Sequence, residues 1–151
     1  MDETRISRSE TAWPVLNVRG PAEPDPLVPP GEYDGYAKHA EIVHLAFGRQ
    51  PSRRLVIFFE LRGGPYDGTR LRFIATLPKD KRLAPSAKLY RAWVVANLGR
   101  PPARVDRFDL GLFEHKLFTI CVRTVERDRH QRALPECNRY SIVDALVERI
   151  A

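Results

Sequence analysis

Arg54-Leu55-Val56-Ile57-Phe58-Phe59-Glu60-Leu61, then Gly63-Gly64-Pro65-Tyr66-Asp67-Gly68, then Thr69-Arg70-Leu71-Arg72-Phe73-Ile74-Ala75-Thr76 read as a strand, a tight turn and a second strand. Side chains alternate across a strand, so Leu55, Ile57, Phe59 and Leu61 share one face. Arg54, Val56, Phe58 and Glu60 share the other. In the second run Leu71, Phe73 and Ala75 oppose Arg70, Arg72 and Ile74. Pro65 early and Gly68 late suit a type I turn that ends in a glycine at positive φ.

Upstream, residues 32–47 form a strand too long to be flat. Tyr33 and Ala37 fall on one face, whereas Ala40 and Ile42 fall on the other. One extra residue flips the alternation, so a bulge is expected between Lys38 and Glu41. The basic turn Gly48-Arg49-Gln50-Pro51-Ser52-Arg53-Arg54 leads into the next strand.

Downstream, the spacing of Leu89, Ala92, Trp93 and Ala96 predicts a helix from Pro85 or Ser86 to Leu98. Pro85 fits a first helical position, or Ser86 an N-cap, and Gly99, Pro101 and Pro102 stop the helix. Residues 100–112 connect, anchored by Val105, Phe108 and Leu110. A fourth strand spans 116–125, with Phe118, Ile120 and Val122 inward, and a fifth spans 138–143. Residues 144–150 read as a short helix.

This order predicts an all-β fold: an OB-like β-barrel of five strands, with one helix between strands three and four and a short C-terminal helix. The barrel domain is expected over residues 31–151. Residues 1–30 carry Pro14, Pro21, Pro24, Pro26, Pro29 and Pro30 and read as an irregular tail. Its apolar segment Trp13-Pro14-Val15-Leu16-Asn17-Val18 is expected to dock on the domain or on a protein partner.

At 151 residues the length suits one domain with a sizeable core, and 43% hydrophobic with 29% charged residues is a globular composition. No apolar run reaches membrane-spanning length, and the polar, acidic start does not read as a signal peptide, so a cytoplasmic location is expected. The formal charge is +6. Residues 1–30 hold a net −2, leaving +8 on the remainder. A compact basic domain attracts polyanions and gains from counterion release.

Catalytic patterns are missing. There is no GxSxG, no phosphate-cradling glycine loop opening a helix and no HExxH. Glu60-Leu61-Arg62 has the acidic-x-basic form of some metal-dependent nucleases, but no carboxylate is placed beside it by the sequence. His39, His44, His115 and His130 lack a metal spacing, and Cys121 and Cys137 lack a CxxC partner. The chain is therefore read as a binding protein, not an enzyme, with no cofactor and no metal.

The sequence points instead to a composite basic surface. Arg54, Phe58, Arg70 and Arg72 share the outward faces of adjacent strands. Arg49 and Arg53 come from the first loop, and Arg127, Arg129, Arg132 and Arg139 from the loop between the last two strands. Tyr36 and Lys38 extend the surface onto the first strand. Arginines track phosphates, and an exposed aromatic such as Phe58 would stack on a base. If the arginines only solvate the sheet, Phe58 packs beneath a loop instead.

Pro29-Pro30-Gly31-Glu32-Tyr33, Phe59-Glu60-Leu61, Gly64-Pro65-Tyr66-Asp67-Gly68-Thr69-Arg70-Leu71 and Lys116-Leu117-Phe118 carry a resemblance over about residues 29–125. In these stretches the chain resembles small OB-fold single-stranded-DNA-binding proteins of phages and mobile elements. The resemblance implies binding of single-stranded nucleic acid, DNA favoured, with low sequence specificity. Many bacterial single-strand binders end in an acidic, partner-recruiting tail. This sequence ends Val147-Glu148-Arg149-Ile150-Ala151, so that mode is not implied. The alternative expectation is a protein-interaction or inhibitor module on the same fold, without nucleic-acid binding.

Overall fold

A computed structural model describes residues 26–45, 52–78, 83, 85–102, 109–128 and 130–151. Five strands follow in chain order: β1 (Gly31–Leu45), β2 (Ser52–Arg62), β3 (Arg70–Thr76), β4 (Leu117–Val125) and β5 (Tyr140–Arg149). One α-helix, α1 (Lys88–Ala96), lies between β3 and β4 in the chain. The fold is mostly β.

The strand pairings close on themselves in the order β1-β2-β3-β5-β4. β1 makes this closure because it is long enough to serve two neighbours. Asp34 to Leu45 run antiparallel to β2, and Gly31 to Tyr36 run antiparallel to β4. β3 and β5 meet in parallel at Phe73 and Val143. The register of β1 against β2 slips between Ala37 and His39, leaving Lys38 as the extra residue. That bulge was legible in the sequence. It lets Ala37 and Ala40 both face the core across an odd interval, and both are buried.

Strand alternation fills the interior. Leu55, Ile57, Phe59 and Leu61 of β2, Leu71, Phe73 and Ala75 of β3, and Phe118, Ile120 and Val122 of β4 form one cluster. Phe59 and Phe118 meet edge to face, with centroids 6.0 Å apart. Beside them the backbone of Gly35 comes so close that a Cβ there would sit 2.7 Å from Ile120 Cδ1. The helix contributes Leu89, Ala92, Trp93 and Ala96, and packs against β3 and β5.

The start of the described chain is fastened to this core. Ser141 donates its backbone N–H to Pro26 O (2.9 Å). Its hydroxyl accepts from Val28 N–H (2.8 Å) and donates to Val28 O (3.1 Å). These bonds satisfy a buried hydroxyl and hold Val28 in the core. The Trp13 segment lies outside the described residues, as do Val105 and Phe108.

The helix expected over 144–150 is not formed. Those residues continue β5, which runs unbroken to Arg149. The reason is a pair of register shifts against β4, between Thr119 and Ile120 and between Cys121 and Val122. Asp144 and Val147 are the residues skipped in that pairing. Apolar residues at 143, 146, 147 and 150 thereby take on helical spacing although the backbone is a bulged strand.

The C-terminus of α1 stops as the glycine and prolines predict, with one displacement. Gly99 N–H bonds to Val94 O (2.8 Å) and Leu98 N–H to Val95 O (3.1 Å), the paired bonds of a Schellman cap. The left-handed cap position is occupied by Leu98, at φ 61°. A leucine pays a steric cost there that glycine avoids, and Leu98 is 62% exposed, so its packing offsets little. Leu98→Gly is therefore expected to stabilise the fold by about 0.5–1 kcal/mol, seen as a higher urea midpoint at unchanged slope.

Candidate nucleic-acid interface

The outer faces of β1, β2 and β3 form one surface whose rows follow from the register. Tyr36, Glu60 and Arg70 make one row; His39, Phe58 and Arg72 the next; Glu41, Val56 and Ile74 the third; Val43, Arg54 and Thr76 the fourth. Of the residues singled out in the sequence, the sheet brings together Tyr36, Lys38, Arg54, Phe58, Arg70 and Arg72. Arg53 is exposed at the start of β2. Arg49 and Arg129 lie outside the described residues.

Phe58 is on the expected face but not in the expected state. It is only 5% exposed, so its ring is not open to a base. Val56, also on the outer face, is fully buried. Neither belongs to the interior cluster, so both are covered from outside. His39 supplies part of the cover over Phe58, its ring lying nearly parallel at 14° with centroids 5.9 Å apart. Arg54 and Arg72 are half-buried, with Arg54 Nε and Arg72 Nη1 shielded from water. Such arginines spread an apolar stem over hydrophobic surface and carry their charge to its edge.

The first row is electrostatically tied. Glu60 lies 3.2 Å from Arg62 and 4.0 Å from Lys38. The Arg62 guanidinium also sits over the Tyr36 ring, 4.8 Å from its centroid. Tyr36 Oη is 3.3 Å from His115 Nδ1. His115 takes a positive φ of 62°, held by its N–H bond to Ala37 O (2.7 Å). No glycine or asparagine marks that turn, so it was not legible from the residues alone. Arg62 is the next outward position of β2 after Arg54, Val56, Phe58 and Glu60 and could have been read there.

His39 is the other residue that sequence reading passed over. The bulge at Lys38 turns it onto Phe58, and two carboxylates bracket its ring. Glu41 Oε1 lies 2.9 Å from Nε2, and Glu114 Oε2 lies 3.0 Å from Nδ1. Glu114 Oε2 also accepts the N–H of Ala40 (2.9 Å), which fastens the bulge.

Among the described residues between β4 and β5, hydrogen bonds draw the chain into a hairpin. Arg127 and Ala133 bridge antiparallel. Asp128 Oδ1 accepts the N–H groups of His130 (2.8 Å) and Arg132 (3.0 Å), and Arg127 Nη1 donates to Gln131 O (3.0 Å). Arg127 and Arg132 remain exposed on this hairpin, while Arg139 is half-buried beyond it. Because β3 and β5 run parallel, the hairpin opens at the end of the sheet where β3 begins.

A different cluster surrounds the first turn of α1. The Lys88 ammonium sits 4.8 Å from the centroid of the Phe73 ring. Burial pulls its pKa below the ordinary lysine value; Asp144 opposes this, and Arg123 and Arg91 add to it. Asp144 is bound by Arg123 at 2.8 Å. Among the described residues no His, Cys, Asp and Glu side chains converge as metal ligands, and no helix is long and apolar enough to cross a membrane. No protein-family model matches the sequence, and no curated protein matches it.

Proposed function

We propose that this chain is an OB-like barrel that binds single-stranded nucleic acid, DNA favoured, with low sequence specificity. It is a binding protein rather than an enzyme, acts in the cytoplasm, and is of the kind carried by phages and mobile elements. The observation that carries the reading is the gathering of Lys38, Arg54, Arg70 and Arg72 on one outer face of β1–β3, with Arg62 at its edge. The closed strand order, with β3 parallel to β5 and α1 between β3 and β4, supports the OB-like assignment. In that architecture this face, with the β1–β2 and β4–β5 loops, is where oligonucleotides lie. The exposed Arg127 and Arg132 extend the basic surface onto the second of those loops.

Fluorescence anisotropy with a labelled single-stranded DNA, the matching RNA and the matching duplex, across a salt titration, tests this. Single-stranded DNA is expected to bind most tightly, with log K falling linearly in log salt by about 0.7 for each phosphate contact. Absence of binding at low salt would remove the reading.

One observation favours the protein-interaction alternative. Leu98, Val147 and Ile150 are exposed, and Leu98 and Val147 line a shallow hollow with Val95, Gly99, Glu148 and Arg149. A failed oligonucleotide titration would move attention to that face.

A further inference from the structure

We infer that His39 is the stacking platform of this surface, the residue on which a nucleobase rests. The inference rests on the nucleic-acid reading above and names the aromatic that reading needs, because Phe58 is covered. His39 has three features of such a platform. Its side chain is 49% exposed although one ring face lies against Phe58. Both ring edges are occupied, by Glu41 and by Glu114. The exposed area therefore belongs mainly to the face that points away from the sheet. The ring is also held in plane: a near-parallel, offset phenyl flanks its inner face, and the carboxylates fix its rotation. A base that lands there pays little to order its partner.

The surroundings sort the two halves of a nucleotide. Carboxylates at the ring edges repel a phosphate, so the sugar-phosphate chain is directed away from His39. Across the same row lies Arg72, two strands over, with Arg70 two residues before it on β3. The strand thus runs with a base on β1 and phosphates on β3. Stacking on an imidazole tolerates any base, in keeping with low sequence specificity.

The test compares an oligo(dT) with an oligomer of the same length built from abasic tetrahydrofuran units. The two share the phosphates and differ in the bases. His39→Leu keeps Phe58 covered but removes the ring, and His39→Phe restores an aromatic. The wild type is expected to prefer oligo(dT). His39→Leu is expected to weaken oligo(dT) binding roughly 5- to 150-fold while leaving the abasic oligomer unchanged, and His39→Phe to recover most of the loss. Equal weakening of both ligands, or no weakening of either, would overturn the stacking role while leaving the basic-face reading intact. A wild type that binds neither oligomer would remove both.

Discussion

The double variant Arg70→Glu/Arg72→Glu is expected to lose single-stranded DNA binding almost entirely at physiological salt. The two residues stand two apart on β3, on the face shared with Lys38 and Arg54, and their pairing partners on β2 are Glu60 and Phe58. Each phosphate contact to a single strand contributes about 0.7 to the slope of log K against log salt. Losing two contacts at about 0.1 M salt therefore costs ~25-fold, and reversing the charges costs more. The double neutral variant Arg70→Gln/Arg72→Gln separates these effects. It should show the ~25-fold loss and a salt slope shallower by about 1.4. Because Arg72 is the β3 neighbour of the covered Phe58, thermal melts of both variants belong to the same experiment. Wild-type affinity in a folded charge-reversed variant would refute the proposed interface.

Phe59→Ala is expected to be the most damaging single substitution for stability. Phe59 is fully buried between its β1 neighbour Ala37 and its β3 neighbour Leu71, and meets Phe118 edge to face. Truncating such a phenyl costs about 3–5 kcal/mol, from lost burial plus the cavity left behind. In a domain of this size the melting temperature should fall by roughly 10–20 °C. The contrast with Phe58→Ala is informative. Phe58 is nearly as buried, yet it sits outside the interior cluster beneath a half-exposed histidine. Its loss should therefore cost clearly less. Equal losses at the two positions would mean that the outer layer of β2 is as integral to the fold as the interior.

These two phenylalanines also mark how far the sequence could be read. Alternation assigned Phe59 inward and Phe58 outward, and both assignments hold. Alternation says nothing of what lies over an outward residue. Part of the cover comes from His39, whose direction depends on a one-residue bulge and on Glu114, far along the chain. The bulge itself was legible because Tyr33, Ala37, Ala40 and Ile42 break a strict period of two. The same device misled at the other end. In β5 two register shifts place apolar residues at 143, 146, 147 and 150, and a pattern with gaps of three and four mimics a helix. The helix was legible from its stripe and its stop, but its start was not legible: Ala87 holds the N-cap, not Ser86, and the first helical residue is Lys88 rather than Pro85. The assignment of the left-handed cap to Leu98 rather than Gly99 was not, because it depends on where the last turn ends, to the residue. For the candidate site, the basic strand residues were legible as a group, and Arg62 was within reach of the same alternation, whereas His39 and His115 join it through tertiary placement.

The double service of β1 carries a consequence for how quickly the chain can fold. Its second half pairs with β2 across a short connection, a contact cheap in chain entropy. Its first half must find β4, and Gly31 ends opposite Val122, most of the domain away in sequence. Until that meeting occurs, the β4–β5 pair can join the rest of the ring only through β5 against β3. Search for such distant partners slows folding of β-rich domains into the millisecond-to-second range. Refolding of this chain is accordingly expected on that timescale, with the β1–β2–β3 meander assembling ahead of the closure that β4 completes.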